Sequence, residues 1–167
     1  MTYSPKPHNM KSILFCLFAA LLYTSCKENT HAADTSDANQ IQGTWKLVSN
    51  IIITKGDTTI AYPVKGKEEV MLKIYNDSHF SFFTHDTKQG KTKDSVFTAG
   101  AGTYNLNGND YSERLEFCNL REWENHDFNF KLKIQNDTLV QRGVERIDSL
   151  NVNREIIETY VRLKAAK

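Results

Sequence analysis

The stretch TYNLNGNDYSERLEF, residues 103–117, decides the fold class. Tyr104 and Leu106 alternate with Asn105 and Asn107, Gly108-Asn109 supplies a turn, and Tyr111, Glu113, Leu115 and Phe117 take up a second alternating run. A period of two sends successive side chains to opposite faces of a strand, and a glycine-containing pair between two such runs is a hairpin turn.

The same period continues on both sides. Downstream, Phe128, Phe130, Leu132 and Ile134 alternate with Asn129, Lys131 and Lys133, and Asn136-Asp137 turns the chain into a strand over Thr138–Gln141. A last strand is expected from about Glu155 to Leu163. Upstream, Val96–Thr98 reads as a short strand, and His85–Ser95 as a long polar hairpin tip. Phe80 and Phe82 are in phase in His79–Thr84, and Asn76-Asp77 turns back to Glu68–Tyr75, where Val70, Leu72 and Ile74 share a face. Gly43–Thr54 and Thr58–Tyr62 flank the Lys55-Gly56-Asp57 turn. Some eight to ten short antiparallel strands with regular turns predict an all-β barrel or sandwich. The expected interior is Val70, Leu72, Ile74, Phe80, Phe82, Tyr104, Leu106, Tyr111, Leu115, Phe117, Phe128, Phe130, Leu132 and Ile134.

The N-terminus reads differently. Lys11 precedes an apolar run from Ile13 to Leu22, short for a bilayer span but suited to the hydrophobic segment of a signal peptide. Leu22-Tyr23-Thr24-Ser25-Cys26 follows and resembles the lipobox of bacterial lipoproteins, with Tyr23 where a smaller aliphatic residue is usual. That resemblance implies removal of residues 1–25 and acylation of Cys26; the competing reading is an uncleaved membrane anchor or ordinary cleavage after Ala33, and Met10, followed by Lys11, reads as an alternative start. Residues 27–40, KENTHAADTSDANQ, lack aromatic and large aliphatic side chains and read as a flexible tether, so that the folded domain spans 41–167. The expected location is the bacterial cell envelope, with a lipid anchor on the periplasmic or surface face of the outer membrane.

Charge excludes one class of partner. Residues 1–25 hold Lys6 and Lys11 and no acid, so the chain from Cys26 carries 19 basic against 20 acidic side chains, with no basic footprint for nucleic acid. Cys118 is the one cysteine left after Cys16 is discarded and Cys26 lipidated, so no intradomain disulfide is expected. No zinc spacing, phosphate-binding glycine loop, Ser-His-Asp set or cofactor motif is present, and no catalytic residue is assigned. His79 and His85 fall on the phase opposite Phe80 and Phe82 and read as solvated, as does His31 in the tether. Trp123 stands in a charged loop with Glu122, Glu124, His126 and Asp127, as a contact residue or a plain loop residue.

Gly43-Thr44-Trp45 opens the first strand, and Arg162 lies in the last. The pair resembles the G-x-W motif and closing arginine of lipocalins and their calycin relatives. With Ala101–Leu106 and Glu158–Arg162, the segment 41–164 is similar to a lipocalin-like domain of unknown function in Bacteroidetes secreted lipoproteins. The resemblance implies a single antiparallel β-barrel in which Arg162 packs across Trp45.

Glu113 breaks the apolar phase between Tyr111 and Leu115. An ionised carboxylate there needs a cation, a hydroxyl, water or a ligand, because unpaired burial costs several kcal/mol. It is either a polar anchor in an apolar cavity formed with Tyr104, Tyr111, Phe80, Phe82 and Phe130, or a structural group bonded to Tyr104 or Tyr111 or reached by water at the barrel mouth. Three functions stay open: a barrel binding a small, mostly apolar ligand; a filled barrel serving as a structural or interaction subunit for an envelope protein partner; and an enzyme using Glu113 as acid or base.

Overall fold

The computed structural model describes residues 40–91, 93 and 95–164; the signal segment, Cys26 and the tether up to residue 39 lie outside the described residues. Nine strands follow one another: β1 (Gly43–Thr54), β2 (Asp57–Tyr62), β3 (Glu69–Tyr75), β4 (His79–Asp86), β5 (Phe97–Asn107), β6 (Asp110–Cys118), β7 (His126–Gln135), β8 (Thr138–Ile147) and β9 (Val152–Arg162). Short 3₁₀ turns at Arg121–Trp123 and Asp148–Leu150 join β6 to β7 and β8 to β9. The anticipated turns fall where residue chemistry favours them. Lys55 and Gly56 both have positive φ, as a two-residue hairpin turn requires. Asn76 Oδ1 accepts the backbone N–H groups of Ser78 and His79, closing the β3–β4 turn.

All neighbouring strands pair antiparallel, and β9 returns to pair with β1. The ring β1-β3-β4-β5-β6-β7-β8-β9 is therefore a closed barrel of eight strands, with β2 outside it as a ninth. β1 shares one edge between two partners: Gly43–Lys46 pairs with β3 and Asn50–Thr54 with β2. A break in the β1–β9 register between Leu47 and Ser49 marks the bend between these halves.

Three expectations are corrected. In β3 the interior phase is Met71, Lys73 and Tyr75, not Val70, Leu72 and Ile74. Tyr75 lies opposite Phe80 and Lys73 opposite Phe82, and directly opposed residues share a face, so the inward phenylalanines of β4 draw Lys73 inside with them. Lys73 and Tyr75 are buried, while Ile74 is exposed.

Phe117 points outward, 65% exposed, and Cys118 is buried in its place. The cause is a β-bulge: Gly102 pairs with Leu115 but Ala101 with Phe117, so Glu116 is an extra residue that reverses the phase of the end of β6. Finally, the strands are longer than their apolar runs. Phe97 and Thr98 belong to a single β5 that runs on to Asn107, β8 continues to Ile147, and β9 begins at Val152, because ladder hydrogen bonds extend through polar and charged residues that alternation alone leaves ambiguous.

Candidate functional site

One end of the barrel is sealed. Trp45 is wholly buried, and its indole N–H donates to the Ile41 carbonyl at 2.7 Å. Arg162, directly opposite on β9, sets its guanidinium 4.1 Å from the Trp45 ring centre. Its Nη1 donates to the Gln42 carbonyl at 2.5 Å and its Nη2 to that of Gln40. The segment entering the barrel is thus fastened across its base.

Above this seal lies a layer of polar side chains in the middle of the barrel. Lys73, on β3, donates from Nζ to Glu113 Oε2 at 2.7 Å and to Gln141 Oε1 at 3.2 Å, and lies 4.9 Å from the centre of the Phe80 ring. The Tyr111 hydroxyl donates to the same Glu113 oxygen at 2.6 Å. On β9, Glu158 accepts from the Tyr160 hydroxyl at 2.6 Å and from Asn50 Nδ2 at 3.2 Å. Burial alone would push the Lys73 ammonium down, but the Glu113 carboxylate, reinforced by Tyr75 and Glu158, raises it above the ordinary lysine value. Burial raises Glu158 against the opposing pull of Lys73 and the Tyr160 hydroxyl. Burial also pushes the Tyr75 phenol up to about 12 and those of Tyr111 and Tyr160 well above their usual value.

The other end of the barrel is less completely buried. Ile52, Met71, Phe82, Thr84, Thr98 and Arg154 lie on interior phases yet are only half-buried. An inward side chain in a closed ring of strands keeps exposure only through its open end, so these residues border a recess, called the cup below, at the end that carries the β4–β5, β6–β7 and β8–β9 loops, while Leu115, Cys118, Phe128, Ile147 and Ile156 beside them are buried. Trp123 stacks at the mouth on Phe128, with ring centres 6.3 Å apart, and carries the Arg154 guanidinium 5.7 Å from its ring. Arg154 in turn donates to Glu145 Oε2 at 2.7 Å.

The barrel is lipocalin-like. Eight antiparallel strands closed into a ring and a base sealed by a tryptophan and an arginine support that description by themselves. No protein-family model and no curated protein matches the chain. Among solved structures it is similar to a lipocalin-like protein from Bacteroides uniformis, at 16% identity and a TM-score of 0.46 over 74% of this chain and 99% of the other. It is also similar to an uncharacterized protein from Bacteroides eggerthii, at 12% identity and a TM-score of 0.40 over 71% of this chain and 98% of the other. At such identities and scores, the architecture rests on strand pairing and closure.

The lipocalin-like barrel separates the residues that the sequence grouped as one cavity. Phe80, Tyr111 and Phe130 are buried in its packed lower part. Tyr104 is also at the sealed end, where its hydroxyl donates to the Asn76 carbonyl at 2.6 Å. Phe82 alone of the aromatic set faces the cup, against Gly100, where an added Cβ would fall 2.6 Å from its ring. Glu113 sits between the halves, with a hydroxyl and a cation both in place. Sequence reasoning missed Lys73, Gln141, Glu158 and Asn50. Gln141 and Glu158 were detectable by the rule that exposed Glu113, since each interrupts an apolar phase: Gln141 follows Leu139, and Glu158 stands between Ile156 and Tyr160. His79 and His85 are exposed, and among the described residues no three His, Cys, Asp or Glu side chains group as a metal site.

The layer makes stability depend on alkaline pH. Lys73, Tyr75, Tyr111 and Tyr160 all have folded pKa values above their unfolded ones, so each holds its proton more tightly in the native state. Their contribution is complete below the unfolded values, about 10 for tyrosine and 10.4 for lysine, and is lost as the pH rises through the folded ones. Glu158 has the same sign at lower pH, its contribution declining above the ordinary glutamate value. The urea midpoint should therefore fall steeply between about pH 10 and pH 12. A midpoint unchanged to pH 11.5 or so would contradict the buried protonated layer.

Proposed function

We propose that this chain is a cell-envelope lipoprotein, cleaved before Cys26 and anchored by its acyl group, whose barrel takes one small, mostly apolar molecule into the cup. The observation that carries the binding reading is the half-burial of Ile52, Met71 and Phe82 inside a closed ring of strands, above a floor of hydrogen-bonded polar groups. Apolar walls with a few placed polar groups are the usual composition of a small-molecule site. The Leu22–Cys26 lipobox and the polar tether support the anchor.

A second reading has its own observation. Phe97 and Phe117 are 66% and 65% exposed on the outer surface, where they line an open apolar groove with Phe83, Ala99 and Ala101. That surface suits an accessory role beside an envelope protein partner.

One experiment addresses both halves of the proposal: native mass spectrometry of the full chain expressed in a bacterium and released in mild detergent. The expected species starts at Cys26, carries added acyl mass, and retains or takes up a small molecule from a panel of fatty acids, sterols and flavonoids. An unacylated N-terminus elsewhere would remove the anchor. An empty barrel that takes up nothing would favour the outer groove.

A further inference from the structure

The charges inside the barrel are unevenly paired, and that asymmetry bears on the chemistry of whatever enters the cup. The described inward cations are all committed: Lys73 to Glu113, Arg154 to Glu145, and Arg162 at the base to the Gln42 and Gln40 carbonyls. Glu158 is not. It is 8% exposed and makes no ion pair; its hydrogen-bond donors, the Asn50 amide and the Tyr160 hydroxyl, are neutral. Lys73 reaches it only through its field, which is already directed at Glu113. Beside it, Asn50 Oδ1 is buried and has no hydrogen-bond partner. Turning the amide over, so that a protonated Glu158 could donate to Oδ1, would leave Nδ2 without its present acceptor. In either arrangement one polar atom of Asn50 is left over. The next inward pair towards the mouth, Ile52 opposite Ile156, is apolar.

An unmatched carboxylate and an orphaned carbonyl beneath apolar walls ask for a group that is cationic, donates several hydrogen bonds and ends an apolar body. We propose that the cup's ligand is an amphipathic amine, its ammonium bound by Glu158 Oε1 and Asn50 Oδ1 and its hydrocarbon part lying along Ile52, Ile156 and Phe82. A carboxylate ligand would meet Glu158 head-on and find no uncommitted inward cation among the described residues. A neutral alcohol could satisfy Asn50 but would leave the carboxylate unmatched. This inference rests on the cup being a ligand site, and its test separates the two.

The test is isothermal titration of the full chain at pH 7 with decylamine, decanol and decanoate, each below its aggregation concentration. Decylamine is expected to bind at least about tenfold tighter than either of the others, the range of a charged hydrogen bond. Glu158→Gln should bring the three ligands to comparable affinity without weakening decanol. If that variant fails to fold, Asn50→Ala should cost decylamine several-fold and weaken it more than decanol. Equal binding of decanol or decanoate by the unaltered chain would overturn the amine and leave the cup standing. Binding of none of the three would overturn both, and a Glu158→Gln protein that keeps the full preference would overturn the assignment to Glu158.

Discussion

Replacing Lys73 by alanine should lower the free energy of unfolding by about 3–5 kcal/mol, the cost of stranding a buried partner charge. The lysine is 4% exposed and the Glu113 side chain 11%, so water cannot replace the ammonium cheaply. Three groups lose by the change: Glu113 keeps only the Tyr111 hydroxyl, Gln141 Oε1 loses its donor, and Glu158 loses the field that opposes its desolvation. The flat faces of Tyr75, Phe80 and Tyr111 around the ammonium would also border a void. The comparison that identifies the cause is the double change Lys73→Met with Glu113→Gln, which removes both charges and keeps most of the volume. It should be clearly more stable than Lys73→Ala, because removing a buried pair together is far less costly than removing one member. Urea unfolding followed by tryptophan fluorescence reads both. A single variant within about 1 kcal/mol of the unaltered chain would mean that the layer is hydrated and that the floor of the cup lies deeper.

Lys73 also shows where sequence reading stops. The turns at Lys55-Gly56, Asn76-Asp77, Gly108-Asn109 and Asn136-Asp137 were legible because each needs a residue type suited to tight or left-handed backbone. The alternation of β5 to β7 was legible because one face is consistently apolar. In EVMLKIY, however, both phases hold large apolar residues, and the lysine makes its own phase look like the solvent side. Only the cross-strand register resolves the choice. Had the β3–β4 pairing been counted from the turn, the inward Phe80 and Phe82 would have required an inward Lys73, and with it the partner that Glu113 lacked on paper. The extra residue at Glu116 is a different kind of failure: a bulge leaves no reliable mark in local composition, so Phe117 kept its apparent place in the apolar series. The packing of Trp123 on Phe128 and beneath Arg154 was equally invisible, since it joins the β6–β7 loop to β9 across the mouth.

The second large effect is expected at that bulge. Gly102 does not need glycine for its dihedral angles; it needs glycine for space. A Cβ built there would stand 1.8 Å from the Arg114 carbonyl oxygen and 3.0 Å from the Glu116 amide nitrogen, both of them backbone atoms of the paired strand. A flexible side chain could swing away, but a laddered strand cannot, so Gly102→Ala should cost about 3 kcal/mol or more, the upper end of overpacking effects. Gly108→Ala is the control. Gly108 has a φ of +57° in the β5–β6 turn and open space around it, so alanine there meets only the left-handed backbone penalty, about 1–2 kcal/mol. Thermal or urea unfolding should therefore rank Gly102→Ala well below Gly108→Ala, and equal losses would refute the close approach at the bulge. One escape remains open to the Gly102 variant: squeezing out the extra residue and letting the end of β6 slip by one. That slip would turn Phe117 into the cup and carry Cys118, now 6% exposed, to the surface. A thiol reagent distinguishes the outcomes, since Cys118 is the one cysteine in residues 27–167. Fast labelling of a folded variant would mean that the bulge has been removed and the wall of the cup rebuilt, and such a protein should also lose the ligand binding proposed for the cup.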